Sequence, residues 1–227
     1  MKVSIVLALS LSSLAPMMMA KEDADQRLSA SADVLSDMMN ASDKGIPQDL
    51  INKSQCVVIV PGLKKGAFII GAKYGKGFVM CRRASGSGWT APAAVRIEGG
   101  SVGFQIGGSE QDVILLVMNR TGMDKLLKDK FTLGAEGTVA AGPLGRDATA
   151  QTDAAMRAEM LSYSRSRGVF AGISLQGATL RPDEDSDAEL YGKKITNREI
   201  LAGDVSSPAA AAKLEGLMNK TSMRQSK

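Results

Sequence analysis

Chemistry near neutral pH usually starts from histidine, a reactive cysteine or a matched pair of carboxylates. This chain of 227 residues has no His at all. That removes His-dependent triads, the helical zinc-protease motif and imidazole general bases together. Two cysteines, Cys56 and Cys81, cannot make a zinc site without further ligands. The carboxylates Glu98, Glu110, Asp112, Glu136 and Asp147 stand near Gly-rich turns, but their spacing selects no acid–base couple. The stretch from Gly71 to Gly77 lacks the spacing and the hydroxyl of a phosphate loop, and Gly100-Ser101-Val102-Gly103 sits in strand-like sequence rather than at a strand-to-helix turn. We therefore expect no catalytic residue, no metal and no cofactor.

Binding is better supported. Residues 50–97 contain no acid and eight bases: Lys53, Lys64, Lys65, Lys73, Lys76, Arg82, Arg83 and Arg96. The whole chain carries only +4, so the remainder is net negative. Such polarity favours an anionic ligand or surface at one face. Nucleic acid fits poorly. Stacking platforms are needed for single strands, and of Phe68, Tyr74, Phe78 and Trp89 the two phenylalanines suit core positions. Anionic lipid fits better, since clustered Lys and Arg each gain about 1 kcal/mol near a charged membrane.

Residues 1–20 read as a signal peptide: Lys2, an apolar run from Val3 to Leu14, and Ala20 before a charged start. Periplasmic or secreted placement, with peripheral attachment to a membrane, follows as an expectation. In an exported protein Cys56 and Cys81 invite a disulfide; two buried thiols are the alternative.

The elements that must position the basic residues come next. Asp23 to Asn40 has helical spacing of Leu28, Ala32, Leu35 and Met39, and a short helix can follow Pro47. Strands are expected at Gln55–Val60, Gly66–Lys73, Gly77–Arg83 and Gly88–Ile97, with tight connections at Tyr74–Gly77 and Ser85–Gly88. Gly99–Gly108 and Gln111–Asn119 continue the sheet, and Thr121–Lys130 reads as a helix. Two long strands are expected at Ala154–Ser164 and Gly168–Leu180, with a helix as the alternative over Met156–Tyr163. The acidic run Asp183-Glu184-Asp185-Ser186-Asp187 reads as a solvated loop or helix start. Helical pieces at Arg198–Leu201 and from Ser207 to about Asn219 close the chain. The fold class is α+β: a largely antiparallel β-sheet core with an N-terminal amphipathic helix and C-terminal helices. The expected divisions are 1–20 signal peptide, 21–46 helix and linker, 47–192 main domain and 193–227 helical tail.

An ordered set of short motifs resembles the SYLF domain family. It comprises Lys64-Lys65-Gly66-Ala67-Phe68, Gly75-Lys76-Gly77, Arg82-Arg83, Gly88-Trp89-Thr90-Ala91-Pro92 and Gly99–Gly108, then Asp112-Val113-Ile114-Leu115, Ala141-Gly142-Pro143-Leu144-Gly145-Arg146 and Gly168–Gly177. The resemblance implies non-enzymatic binding of phosphoinositides and other anionic phospholipids, with actin binding in fungal members. It places the lipid contacts at Lys64, Lys65, Lys73, Lys76, Arg82 and Arg83. The alternative function is a structural or assembly protein of the envelope acting through a protein partner.

Overall fold

The computed structural model describes residues 23–41, 45–134, 138–145, 158–166, 168–172, 175 and 177–222. The expected signal peptide lies outside them. The architecture is α+β, built on one seven-stranded sheet whose path is β3-β7-β2-β5-β4, with β1 paired to β2 and β6 paired to β5. Its strands are β1 (Cys56–Cys81), β2 (Ala93–Val117), β3 (Phe131–Thr132), β4 (Val139–Ala141), β5 (Met160–Ser166), β6 (Val169–Gly172) and β7 (Thr179–Pro182). All pairings are antiparallel except β4 with β5.

The pieces expected as separate strands are two very long ones. β1 and β2 form a ribbon running in register from Cys56 opposite Val117 to Val79 opposite Ala93, with irregularities at Val60/Leu63 and Ala67/Ile69. The ribbon doubles back on itself. Arg82 N donates to Gln55 O at 2.8 Å, and a disulfide joins Cys56 to Cys81, whose Cα atoms are 4.0 Å apart. The two ends of β1 therefore lie side by side at the base, and the middle of the ribbon forms a far bend.

This closure explains two glycines that the sequence presents as a turn. A Cβ on Gly77 would stand 1.9 Å from Ile59 O, and one on Gly75 would meet Val60 and Leu63 at 2.9 and 2.8 Å. No turn occurs at Tyr74–Gly77. The glycines are there because one half of β1 passes hard against the other.

Side-chain alternation along β1 and β2 feeds two apolar layers. Val57, Ile59, Phe78, Met80, Ile114 and Leu116 face one side. There they meet α1 (Ala24–Asn40), α2 (Gln48–Lys53) and the last helix, α6 (Ala212–Thr221), through Leu28, Leu35, Leu50, Ile51, Leu214 and Met218. Val58, Val60, Val79, Val95, Val113 and Leu115 face the other side. Leu126 of α3 (Arg120–Leu126) and Ile200 of α5 (Asn197–Leu201) cover them. α1 is opened by Asp23, whose side chain accepts from Asp25 N, and α5 by a capping box between Thr196 and Glu199.

Several boundaries differ from the sequence reading. α3 stops at Leu126 rather than Lys130. In the described residues the strand expected at Ala154–Ser164 is β5, starting at Met160; residues 151–157 lie outside them. The single strand expected at Gly168–Leu180 is two, β6 and β7, each with a different neighbour. The acidic run begins helix α4 (Glu184–Tyr191), and it is not solvated throughout: Asp183, Ser186 and Asp187 are buried.

Candidate functional site

Folding divides the basic residues of the ribbon into two groups. Near the base they are engaged by the protein itself. Lys76 Nζ lies 2.7 Å from Asp183 Oδ2, and Asp183 is 1% exposed. Arg96 reaches the same carboxylate at 3.8 Å and Glu98 at 3.5 Å; Glu98 in turn pairs with Arg181 at 3.1 Å. Charges thus alternate from β1 through β2 to β7. The carboxyl of Asp183 sits below its ordinary range. Burial alone would raise it, but the hydrogen bonds from Lys76 and Ser186 and the charges of Lys76 and Arg96 outweigh burial.

Arg82 is a fastening rather than a surface charge. Its guanidinium donates to Ser222 O at 2.7 Å, to Ile51 O at 3.2 Å and to Ser54 O and Asn52 O at 3.3 Å, and also to Ser222 Oγ. It lies 4.1 Å from the centroid of the Trp89 ring. The C-terminal ends of α2 and α6, with their outward carbonyls, are the natural receptors for a cation. Arg83 is exposed, and its Nε donates to Trp89 O at 2.7 Å.

At the far end the situation is different. Lys64, Lys65 and Lys73 make no ion pair with any carboxylate of the described residues. Alternation puts Lys65 on the face of Leu63 and Lys73 on the face of Gly75, and those two residues touch where the ribbon folds over. The lysines are consequently neighbours: partial burial first, and the charge of Lys73 second, lower the Lys65 ammonium below its ordinary value. Lys64 is exposed on the opposite face and lines a cleft of about 370 Å³ with Gly62, Glu110, Asp112 and Arg165.

Of the six basic residues singled out from sequence, the structure brings Lys65 and Lys73 together. It sets Lys64 beside them on the other face and Arg83 apart near Trp89, and turns Lys76 and Arg82 inward. Sequence reasoning missed Asp183, Glu98 and Arg181 as partners of the basic face. A signal existed: Asp183 and Asp187 fall one helical turn apart in a charged run, which places both on one face of a helix. Among the described residues no group of acids or cysteines is arranged to hold a metal ion.

These features describe an α+β module whose longest strands are folded double over a disulfide. Residues 98–221 match the family model described as Ysc84, Las17-binding protein actin regulator. The chain belongs to this family, the SYLF family of the motif likeness. It is 36% identical over 177 residues to an SH3 domain-containing protein of Schizosaccharomyces pombe, covering 77% of this chain and 41% of that protein. It is 35% identical over 181 residues to rat SH3 domain-containing YSC84-like protein 1, covering 79% and 53%. It is 30% identical over 172 residues to LAS seventeen-binding protein 3 of Saccharomyces cerevisiae, covering 74% and 37%. The chain spans about half the length, or less, of these curated relatives. Of these three, only the Saccharomyces cerevisiae protein is named for what it binds.

Proposed function

We propose that this chain is a non-enzymatic binding module of the cell envelope that engages anionic phospholipid surfaces through the far bend of its ribbon. The observation that carries this reading is the pair Lys65 and Lys73, two like charges held together with no carboxylate of the described residues to offset them. Such a pair is relieved by an external anion. Lys64, exposed on the opposite face of the ribbon, adds attraction at the same end. The role of Lys76 and Arg82 is internal, so the contact is smaller than the one expected from sequence.

Co-sedimentation with vesicles tests this. Binding is expected to phosphatidylserine-containing vesicles and not to phosphatidylcholine alone, and to weaken as salt rises. At about 1 kcal/mol per lysine, Lys65→Gln with Lys73→Gln lowers affinity roughly 30-fold. Lys76→Gln leaves it unchanged once folding is verified. Equal binding to neutral vesicles, or indifference to the loss of Lys65 and Lys73, overturns the proposal.

A second reading rests on the family's description as Las17-binding actin regulators and on the name of LAS seventeen-binding protein 3. On that reading the same bend meets a protein partner. Retention by a protein partner without lipid, lost in the same double variant, favours it.

A further inference from the structure

The edge of β2 beyond the end of β7 is closed by side chains. Ala94 N donates to Asp187 Oδ1 at 2.7 Å. Ala94 O accepts from Asp183 N at 3.0 Å and from Asn197 Nδ2 at 2.9 Å. In an extended strand the N–H and C=O of one residue point to the same edge. The carboxyl of Asp187 and the carboxamide of Asn197 therefore reach the same edge of β2, one on each polar group of Ala94.

Each has one atom left over. Asp187 Oδ2 and Asn197 Oδ1 have no hydrogen-bond partner among the described residues, and the two residues are 0% and 8% exposed. Turning the Asn197 amide over would set its oxygen against Ala94 O, so its orientation is fixed. Two buried acceptors, one on each side chain that holds Ala94, are thus left without a donor.

We propose that Asp187 is held as a protonated carboxyl whose hydroxyl donates to Asn197 Oδ1, so that a single proton latches α4 and α5 to the edge of β2. One proton satisfies both acceptors and removes a buried charge.

The surrounding groups agree. On its own helix Asp187 faces Asp183 and Glu184, both negative. The nearby cations are directed elsewhere: Lys76 of β1 and Arg96 of β2 to Asp183, and Arg27 of α1 toward Ser186. Tyr191 donates to Pro92 O, and Glu215 of α6 adds a further negative charge near it. Burial pushes the Asp187 carboxyl up to about 7; the Ala94 N–H opposes this, and Asp183 and Glu184 add to it. Raising the pH through that value places a second negative charge beside Asp183 and loosens α4, with it the hold of Asp183 on Lys76 and Arg96.

The folded value lies above the unfolded one near 4, so the contribution is full below about pH 4 and fades as pH rises to about 7. Within that window the folding equilibrium constant falls by up to about tenfold per pH unit. Carboxyl carbon NMR of aspartate-labelled protein reads the site directly. We expect one aspartate to titrate near pH 7, and its resonance to vanish in Asp187→Asn. Denaturation at pH 4, 5.5 and 8 reads the linkage. Asp187→Asn, whose amide donates where the hydroxyl did, is expected to match the wild type at pH 4 and to lose the decline toward pH 8, so that it exceeds the wild type at pH 5.5 and 8. Asp187→Ala is expected to be less stable than both at pH 4 and less stable than Asp187→Asn throughout. An Asp187 resonance titrating below pH 5 overturns the proposal. So does an Asp187→Asn protein as unstable at pH 5.5 as Asp187→Ala, or stability at pH 5.5 that rises with added calcium chloride.

Discussion

Arg82→Lys separates a fastening from a surface charge. The substitution keeps the positive charge and removes the fork. In the structure that fork spans two helix ends, taking Ile51 O and Asn52 O of α2 together with Ser222 O beyond α6. A lysine ammonium is a compact point that can serve one end. Charge-assisted hydrogen bonds contribute about 1.5–3 kcal/mol each. Here three of the four carbonyl contacts are 3.2–3.3 Å long and share one group, so we assign about 3 kcal/mol to the whole. Arg82→Met, which retains the packing stem, should lose about that amount, and Arg82→Lys about 2 kcal/mol. For a domain of this size that corresponds to falls in Tm of roughly 6–12 °C and 4–8 °C. Urea and thermal unfolding without reductant supply the numbers, and limited proteolysis shows whether residues after α6 are released. Arg82→Lys within about 0.5 kcal/mol of the wild type would refute the reasoning, since that is the range of an ordinary surface substitution.

Three further outcomes are expected. Gly77→Ala puts a Cβ against Ile59 O, backbone on backbone, and should cost about 3 kcal/mol or more in urea unfolding; Gly66→Ala, with nothing within 4 Å, should be close to neutral. Asp183→Asn leaves Lys76 and Arg96 without their shared partner. Because the carboxyl of Asp183 is depressed, its contribution is present above the unfolded value near 4 and is lost as pH falls. The variant should be less stable by about 3 kcal/mol at pH 7, with the difference shrinking as pH falls through the depressed folded value. Replacing Cys56 and Cys81 by Ala together frees a loop with a sequence separation of 25 and should cost about 3 kcal/mol in the same assay.

Local patterns in the chain were a good guide to local structure. The helix ending at Asn40 has its apolar spacing, the strands have their alternation, and the turn at Ser85–Gly88 has its glycines. What could not be read was how the strands join. Glycine at 75 and 77 means a turn in most sequences, and only the opposite half of β1 shows that it means close approach. The site was partly legible for a similar reason. An acid-free segment is visible in one dimension, but the carboxylate for Lys76 is supplied by Asp183, 107 residues later in the chain. Arg82 looks like its neighbour Arg83 on paper. Helix ends delivered from residues 51–54 and from Ser222 make it different. Lys65 and Lys73, eight residues apart in the chain, become neighbours only through the fold of the ribbon.

The sulfur link at the base of the ribbon also has a mechanical meaning. A force applied to the two termini enters β1 at Cys56 and leaves at Cys81 through the covalent bridge, bypassing everything between them. About 90 Å of contour, 25 residues at close to 3.6 Å each, stays hidden from the pull. The bend carrying Lys65 and Lys73 would remain a closed loop after the helices had been stripped away, and a reducing agent would lengthen the stretched chain by that same amount.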